Sequence, residues 1–302
     1  MKLVECVPNF SEGRRPEVVD EIVGAMTAVD GVRLLDKEMD ADHNRAVVTI
    51  IGAPEDVLES ALRGIEKASE LIDLTKHEGE HPRMGATDVC PFVPVRDVEM
   101  DDCVRLAEKL GERVGSELDI PVFLYESAAR RPERQNLAKV RKGQFEGLRE
   151  EIGANPAKEP DFGPSKIHPT AGAIAIGARP FLIAYNINLG TSDLSVAKRI
   201  ARSIRHSGGG LRHVKAMGFE IKDRGIVQVS INMVNFKGTP LFRVFEMVKS
   251  EAARYGVPVI GSEIVGLVPA DALVDVADFY LRLEDFERDQ VLENRLSEGE
   301  EE

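Results

Sequence analysis

The 302-residue chain states one succession of elements twice, and that duplication limits what it can fold into more than any other feature. In the first half an apolar strand, Leu3 to Pro8, leads through Asn9 and Ser-Glu-Gly into a helix from about Pro16 to Thr27. Strands at Val32 to Asp36 and at Ala46 to Ile51 follow, the second rich in β-branched residues. A helix from Pro54 to Asp73 then places Val57, Leu58, Ala61, Leu62, Ile65, Ala68 and Ile72 on one face, and a strand at Val89 to Val95 closes the unit. The second half repeats the order: strand Phe181 to Leu189, helix Asp193 to His206, strands Val214 to Phe219 and Ile226 to Val234, helix Thr239 to Tyr255 and strand Val257 to Ile260.

The order β-α-β-β-α-β is the split βαβ of ferredoxin-like units, with two helices over one face of an antiparallel sheet. The expected fold is α/β of the α+β kind, with two ferredoxin-like subdomains at 1–178 and 179–295 and an acidic, disordered tail at 296–302. Each sheet keeps one uncovered face, and two such faces can turn toward each other across a substrate groove. Extra helices at 101–118 and 271–283 extend the two halves. Glu133 to Lys166, charged and broken by Gly and Pro, reads as a loop-bearing connector.

A formal net charge of -13 argues against nucleic acid as a partner, because phosphate binding rests on clustered Lys and Arg. Anionic small molecules remain compatible with a local pocket of Arg, His and backbone N–H groups. Cys6, Cys90 and Cys103 are odd in number and lack CxxC spacing, which points to a reducing cytoplasm and not to a disulfide framework. The N-terminus MKLVECVPNF is too short and polar for a signal peptide, and no apolar run approaches the roughly 18 residues of a membrane span.

The segment His77 to Asp88, HEGEHPRMGATD, carries the densest chemistry. His77, Glu78 and His81 match H-E-x-x-H, which holds zinc when both histidines share one helix face. Gly79 lies between them and Pro82 follows His81, so that helix is disfavoured and no metal is expected. What is left is an imidazole held by a proline on a loop, next to Arg83, Glu80 and Asp88. His81 there suits proton transfer near neutral pH, with a neighbouring carboxylate fixing its tautomer. The alternative, a histidine capping the preceding helix, suits His77 better.

The run HEGEHPRMGATDVCPFVPV, together with VECVPNFSEG, DFGPS and FLIAYNINL, resembles the formiminotransferase family over nearly the whole chain. The resemblance implies transfer of a formimino group from N-formimino-L-glutamate to tetrahydrofolate, giving 5-formimino-tetrahydrofolate and L-glutamate. It implies that His81 is the catalytic histidine and that folate binds along Gly163, Pro164, Ser165, Lys166, Ile167, His168, Pro169, Thr170, Ala171 and Gly172. It further implies a cytoplasmic homodimer without a resident metal. The chain stops at residue 302, so the cyclodeaminase fused to animal members is expected as a separate protein.

Carboxylates on both substrates call for bidentate arginines, and Arg45, Arg83 and Arg179 are the candidates, although surface salt bridges explain Arg45 and Arg179 equally well. Asn9, Asn186 and Asn188 recur at strand ends, where an amide can meet a pterin edge or simply shape a turn. Gly172 and Gly177 lack dinucleotide spacing and suggest close approach of backbone to a flat ligand. Competing readings are a related formyl or formimino transferase with another donor or a modified pterin, a non-catalytic folate or amino-acid sensor, and a zinc hydrolase.

Overall fold

The computed structural model describes residues 1–299, with side chains through residue 296. The chain forms two compact units, Met1–Pro180 and a second from Phe181 onward. Helix α9, Leu292–Gly299, enters the expected acidic tail, and residues 300–302 of that tail lie outside the described residues.

In the first unit the opening strand is broken into β1 (Leu3–Cys6) and β2 (Asn9–Phe10), with Pro8 in the gap, where it has no N–H to donate to a ladder. Helix α1 (Pro16–Thr27), strands β3 (Arg33–Asp40) and β4 (Arg45–Gly52), helix α2 (Pro54–Leu71) and strand β5 (Thr87–Arg96) complete the expected order. β1 and β2 lie between β4 and β5, and β3 takes the edge beside β4, all antiparallel. This is the ferredoxin-like arrangement. The predicted apolar face of α2 is buried from Val57 to Ile72, and α2 packs against both α1 and α3 (Met100–Glu117).

Two strands extend this sheet beyond the sequence expectation. β6 (Val122–Glu126) and β7 (Ile174–Ala178) pair in parallel, and β7 runs parallel to β5. β6 is a short apolar run, which periodicity alone does not separate from other buried segments. β7 lies in the Gly-rich GAIAIG, where Gly177 had suggested approach to a ligand. A Cβ there would come within 2.6 Å of the Tyr125 ring, so the space serves the neighbouring strand. The stretch read as a connector carries two short helices, α4 (Leu137–Val140) and α5 (Gln144–Glu151), that return over the sheet end. Cys6 and Cys90 meet in this core with sulfurs 3.4 Å apart, and all three cysteines are buried and free.

The second unit has the same plan in four antiparallel strands: β8 (Ile183–Leu189), β9 (Val214–Ile221), β10 (Ile226–Met233) and β11 (Val259–Val265), ordered β11-β8-β10-β9. α6 (Leu194–Ile204) and α7 (Leu241–Ala253) cover one face, where Ile183, Ile187, Leu189, Val227, Val229 and Ile231 are buried with Val196, Ile200, Val244 and Val248. α8 (Ala270–Leu281) packs on α7. Alternation along β8 and β10 sends Asn186, Asn188, Gln228 and Ser230 to the opposite, polar face.

Candidate active site

After α2 the chain makes one 3-10 turn, Leu74–Lys76, whose Asp73 carboxylate accepts from the Thr75 N–H at 3.0 Å and whose Leu74 is buried as an anchor. From His77 to Ala86 there is no helix, as Gly79 and Pro82 require, so the two histidines of H-E-x-x-H never share a helix face. A Cβ at Gly79 would come within 2.5 Å of the His43 carbonyl oxygen, so glycine is what lets this loop lie against the turn before β4. His77 is fixed there, with Nε2 3.0 Å from the Asn44 carbonyl and Nδ1 accepting from Arg83 Nε at 3.1 Å. Arg83 in turn grips both carboxylate oxygens of Glu146 on α5, at 2.9 and 2.6 Å, and donates to Gln144. Its guanidinium is thereby committed to tying the loop to the returning helix.

His81 sits differently. Its side chain is 11% exposed, and Nε2 faces the carboxylate of Asp88 at 3.5 Å, the outer limit of a hydrogen bond, with no other partner. Asp88, second residue of β5, is buried; one oxygen accepts from the Met84 N–H at 2.8 Å and the other takes Arg141. Arg141 follows α4, and Arg45 opens β4 directly after the 41–44 turn. Among the described residues no side-chain hydrogen bond or ion pair ends on the Arg45 guanidinium, and the Nε atoms of both Arg45 and Arg141 are sealed without a partner. Thr87 Oγ1, beside Asp88, is in the same condition.

The electrostatics follow. Burial pushes the His81 imidazole below its ordinary value; Asp88 pulls the other way, and the charges of Arg141 and Arg45 lower it further, so the ring is held in its neutral form. Burial alone would raise the Asp88 carboxyl, but Arg141, His81 and the Met84 N–H together hold it below the usual carboxylate value. Arg45 is destabilised first by burial and then by Arg141, with Asp40, Asp88 and Glu38 opposing.

The structure brings the end of the expected folate stretch, residues 170–172, to the His81 loop through backbone bonds. Leu74 N–H donates to Thr170, Ala86 N–H to Ala171 and Ala173 N–H to Met84, at 2.9 Å each, with a bridge between Gly85 and Gly172. Gly172 has φ +73°, and a Cβ on it would meet the Met84 carbonyl oxygen at 2.3 Å, so the close approach is to the chain's own loop. Gly163, at φ +81°, would meet the Ile120 carbonyl oxygen at 2.8 Å. His168 closes the tight turn, accepting the Ala171 N–H on Nδ1 at 2.9 Å, and burial lowers its ring as well. The Ser11 hydroxyl adds a bond to the Gly85 carbonyl at 2.7 Å.

The remaining candidates lie elsewhere. Arg179 follows β7, with its N–H donating to the Phe92 carbonyl and its guanidinium donating to the Pro180 carbonyl at 3.1 Å. The Asn9 amide turns back to the Val7 carbonyl at 3.1 Å. Asn186 and Asn188 sit on the polar face of the second unit, joined through two residues not singled out in the sequence: Glu263 Oε1 accepts from Asn186 and Gln228 at 3.1 and 3.0 Å, and Gln228 also donates to Asn188 at 3.0 Å. Arg141 was likewise missed, because it lay in the stretch read as connector and no local spacing links it to residue 88.

This constellation of a loop histidine, a buried aspartate and an unpaired arginine lies inside the first of two family matches. Residues 3–179 match the formiminotransferase domain, N-terminal subdomain, and residues 184–295 the formiminotransferase domain. The chain is 55% identical over 98% of its length to glutamate formimidoyltransferase of Streptococcus pyogenes serotype M1, covering 99% of that protein. It is 52% identical to glutamate formimidoyltransferase of Thermoplasma acidophilum, with 99% of each chain covered. To formimidoyltransferase-cyclodeaminase of Mus musculus it is 46% identical over 98% of its own length and 56% of that protein. The duplicated ferredoxin-like units, the His81 loop and these matches along almost every residue make the chain a member of the formiminotransferase family.

Proposed function

We propose that the chain transfers the formimino group of N-formimino-L-glutamate to N5 of tetrahydrofolate, releasing L-glutamate, with His81 as the proton carrier. The observation that supports this best is the setting of His81: Nε2 is sealed against a buried carboxylate that is itself held by Arg141, which leaves Nδ1 to meet substrate. Asp88 fixes the tautomer with the proton on Nε2, and burial beside two arginines keeps the ring unprotonated, as a general base must be.

The reaction needs such a group twice. N5 of the reduced pterin attacks the protonated amidine carbon, and as that C–N bond forms N5 carries a proton it must lose. His81 takes it at Nδ1. The tetrahedral adduct then breaks its bond to the glutamate nitrogen, and the imidazolium returns the proton to that nitrogen so that glutamate leaves as an amine. Proton transfer of this kind accounts for roughly 10²- to 10⁴-fold in rate, and alignment of two substrates supplies much of the rest.

The stretch 163–172 is assigned to the folate, since its end, Thr170 to Gly172, is laced by backbone bonds to the loop that carries His81. Among the candidates Arg45 is assigned to substrate binding, because its guanidinium is uncommitted among the described residues, whereas Arg83 is spent on Glu146 and the Asn9 amide on the Val7 carbonyl. Tetrahydrofolate acts as co-substrate, no resident metal takes part, and the enzyme works as a cytoplasmic homodimer. No helix of the described chain is long and apolar enough to cross a membrane.

Formation of 5-formimino-tetrahydrofolate, followed spectroscopically with purified protein and both substrates, tests the reading. Turnover that disappears in His81→Ala while folate binding persists supports it; absence of turnover in the wild-type chain sinks it.

A further inference from the structure

We propose that Arg45 and Arg141 together form the site for the α-carboxylate of the formimino donor, and thereby select donors that carry a carboxylate one carbon from the departing nitrogen. The inference rests on the transferase reading and adds to it which carboxylate is recognised, and where.

Two guanidiniums stand beside His81, and each has a sealed Nε with no acceptor. A charged guanidinium beside a functional histidine that makes no hydrogen bond or ion pair of its own among the described residues, as Arg45 does, marks a place where an acceptor arrives from outside. The charges point the same way. Arg141 is balanced by Asp88, whose second oxygen is taken by the Met84 N–H. Arg45 has no ion-pair partner among the described residues; the carboxylates of Asp40, Asp88 and Glu38 favour its charge from a distance, and Asp40 itself is engaged by His43 at 2.8 Å. Arg141 is paired and Arg45 is not, so one guanidinium is left without a salt-bridge partner, which matches one carboxylate.

Donor chemistry then decides which carboxylate. N-formimino-L-glutamate carries its formimino group on the α-nitrogen, so the α-carboxylate is the anion bound one carbon from the nitrogen that His81 must reach. The side-chain carboxylate is two methylenes further out. An anion between Arg45 and Arg141 therefore lies beside the departing nitrogen when it is the α-carboxylate. Its negative charge also offsets the two arginines that oppose protonation of His81, so a correctly bound donor makes the base stronger at the moment it is used.

The test compares three donors in wild-type protein and in Arg45→Gln: N-formimino-L-glutamate, N-formimino-4-aminobutyrate, which lacks the α-carboxylate, and N-formimino-L-2-aminobutyrate, which lacks the distal one. We expect the wild type to favour N-formimino-L-glutamate over the first analogue by about 10- to 100-fold in kcat/KM, the effect of a hydrogen bond to a charged group. In Arg45→Gln that preference collapses while discrimination by the distal carboxylate is unchanged; Arg45→Lys, which keeps the charge but not the planar fork, falls between. Equal losses on all three donors, or a collapse of the distal preference instead, overturns the proposal. If wild-type protein transfers from no donor, the transferase reading fails on its own. Calorimetric titration then decides the site: weaker L-glutamate binding in Arg45→Gln with unchanged 4-aminobutyrate binding supports it, and identical L-glutamate binding by both proteins overturns it.

Discussion

Asp88→Asn is the substitution whose outcome the structure sets most sharply. The carboxylate is 1% exposed, one oxygen accepts from the Met84 N–H at 2.8 Å, and the other meets Arg141 and faces His81. Asparagine keeps the shape and part of the hydrogen bonding but removes the charge, so the mostly buried Arg141 is left uncompensated. Removing one partner of a buried pair costs about 3–5 kcal/mol. For a folding unit of this size that is a fall of roughly 6–20 °C in melting temperature, at about 2–4 °C per kcal/mol. Activity falls as well, because the tautomer of His81 is no longer fixed. The discriminating measurement is a double variant, Asp88→Asn with Arg141→Met, followed by thermal denaturation and turnover. Removing the stranded guanidinium recovers most of the lost stability, whereas turnover stays low. Additive destabilisation in the double variant, or an Asp88→Asn protein that melts with the wild type, refutes the account of this pair.

The pH dependence carries a sign. Since His81 is held below its ordinary value of 6.5 by burial, Arg141 and Arg45 against the pull of Asp88, kcat/KM should lose its acid limb only below that pH, and Arg45→Gln should move the limb upward. The same group makes folding less favourable as pH drops through 6.5, because the unfolded chain protonates first, an effect that levels off once the folded ring is charged. Asp88 acts in the opposite region: its stabilisation is complete above its ordinary 3.8 and is lost as pH falls through its lower folded value, measurable by acid unfolding monitored by circular dichroism. His81→Ala should cost about 10²- to 10⁴-fold in kcat with folate binding retained by calorimetry. Gly172→Ala should destabilise by more than about 1 kcal/mol, through its positive φ and the 2.3 Å approach to Met84. Gly147→Ala, inside α5 with open space around it, should be neutral or stabilising by roughly 0.5–1 kcal/mol.

Much of this was legible in the sequence because it is local. The apolar stripe of α2, the β-branched run of β4 and the repeat of one element order are written in short-range periodicity, and all of them appear in the fold. Gly79 and Pro82 correctly argued against a helix through His77 and His81. What local reading could not reach is pairing between distant segments. β6 and β7 are neighbours across 47 intervening residues, from Glu126 to Ile174. Arg141 meets Asp88 across a sequence separation of 53, and neither residue carries a mark of the other. Arg83 shows the converse: it stands next to the key histidine in sequence, yet its guanidinium is spent on Glu146.

The backbone bonds that tie Leu74, Met84 and Ala86 to Thr170, Ala171 and Ala173 also say when this site comes into being as the chain folds. Each closes a loop of some 85 to 100 residues, and such closures are completed only after the intervening strands and helices have collapsed. The neighbourhood of His81 should therefore be among the last parts of the first unit to acquire native order during refolding. Recovery of activity will lag behind recovery of helical signal, and a mixture of partly refolded molecules will contain many that are compact and few that can catalyse.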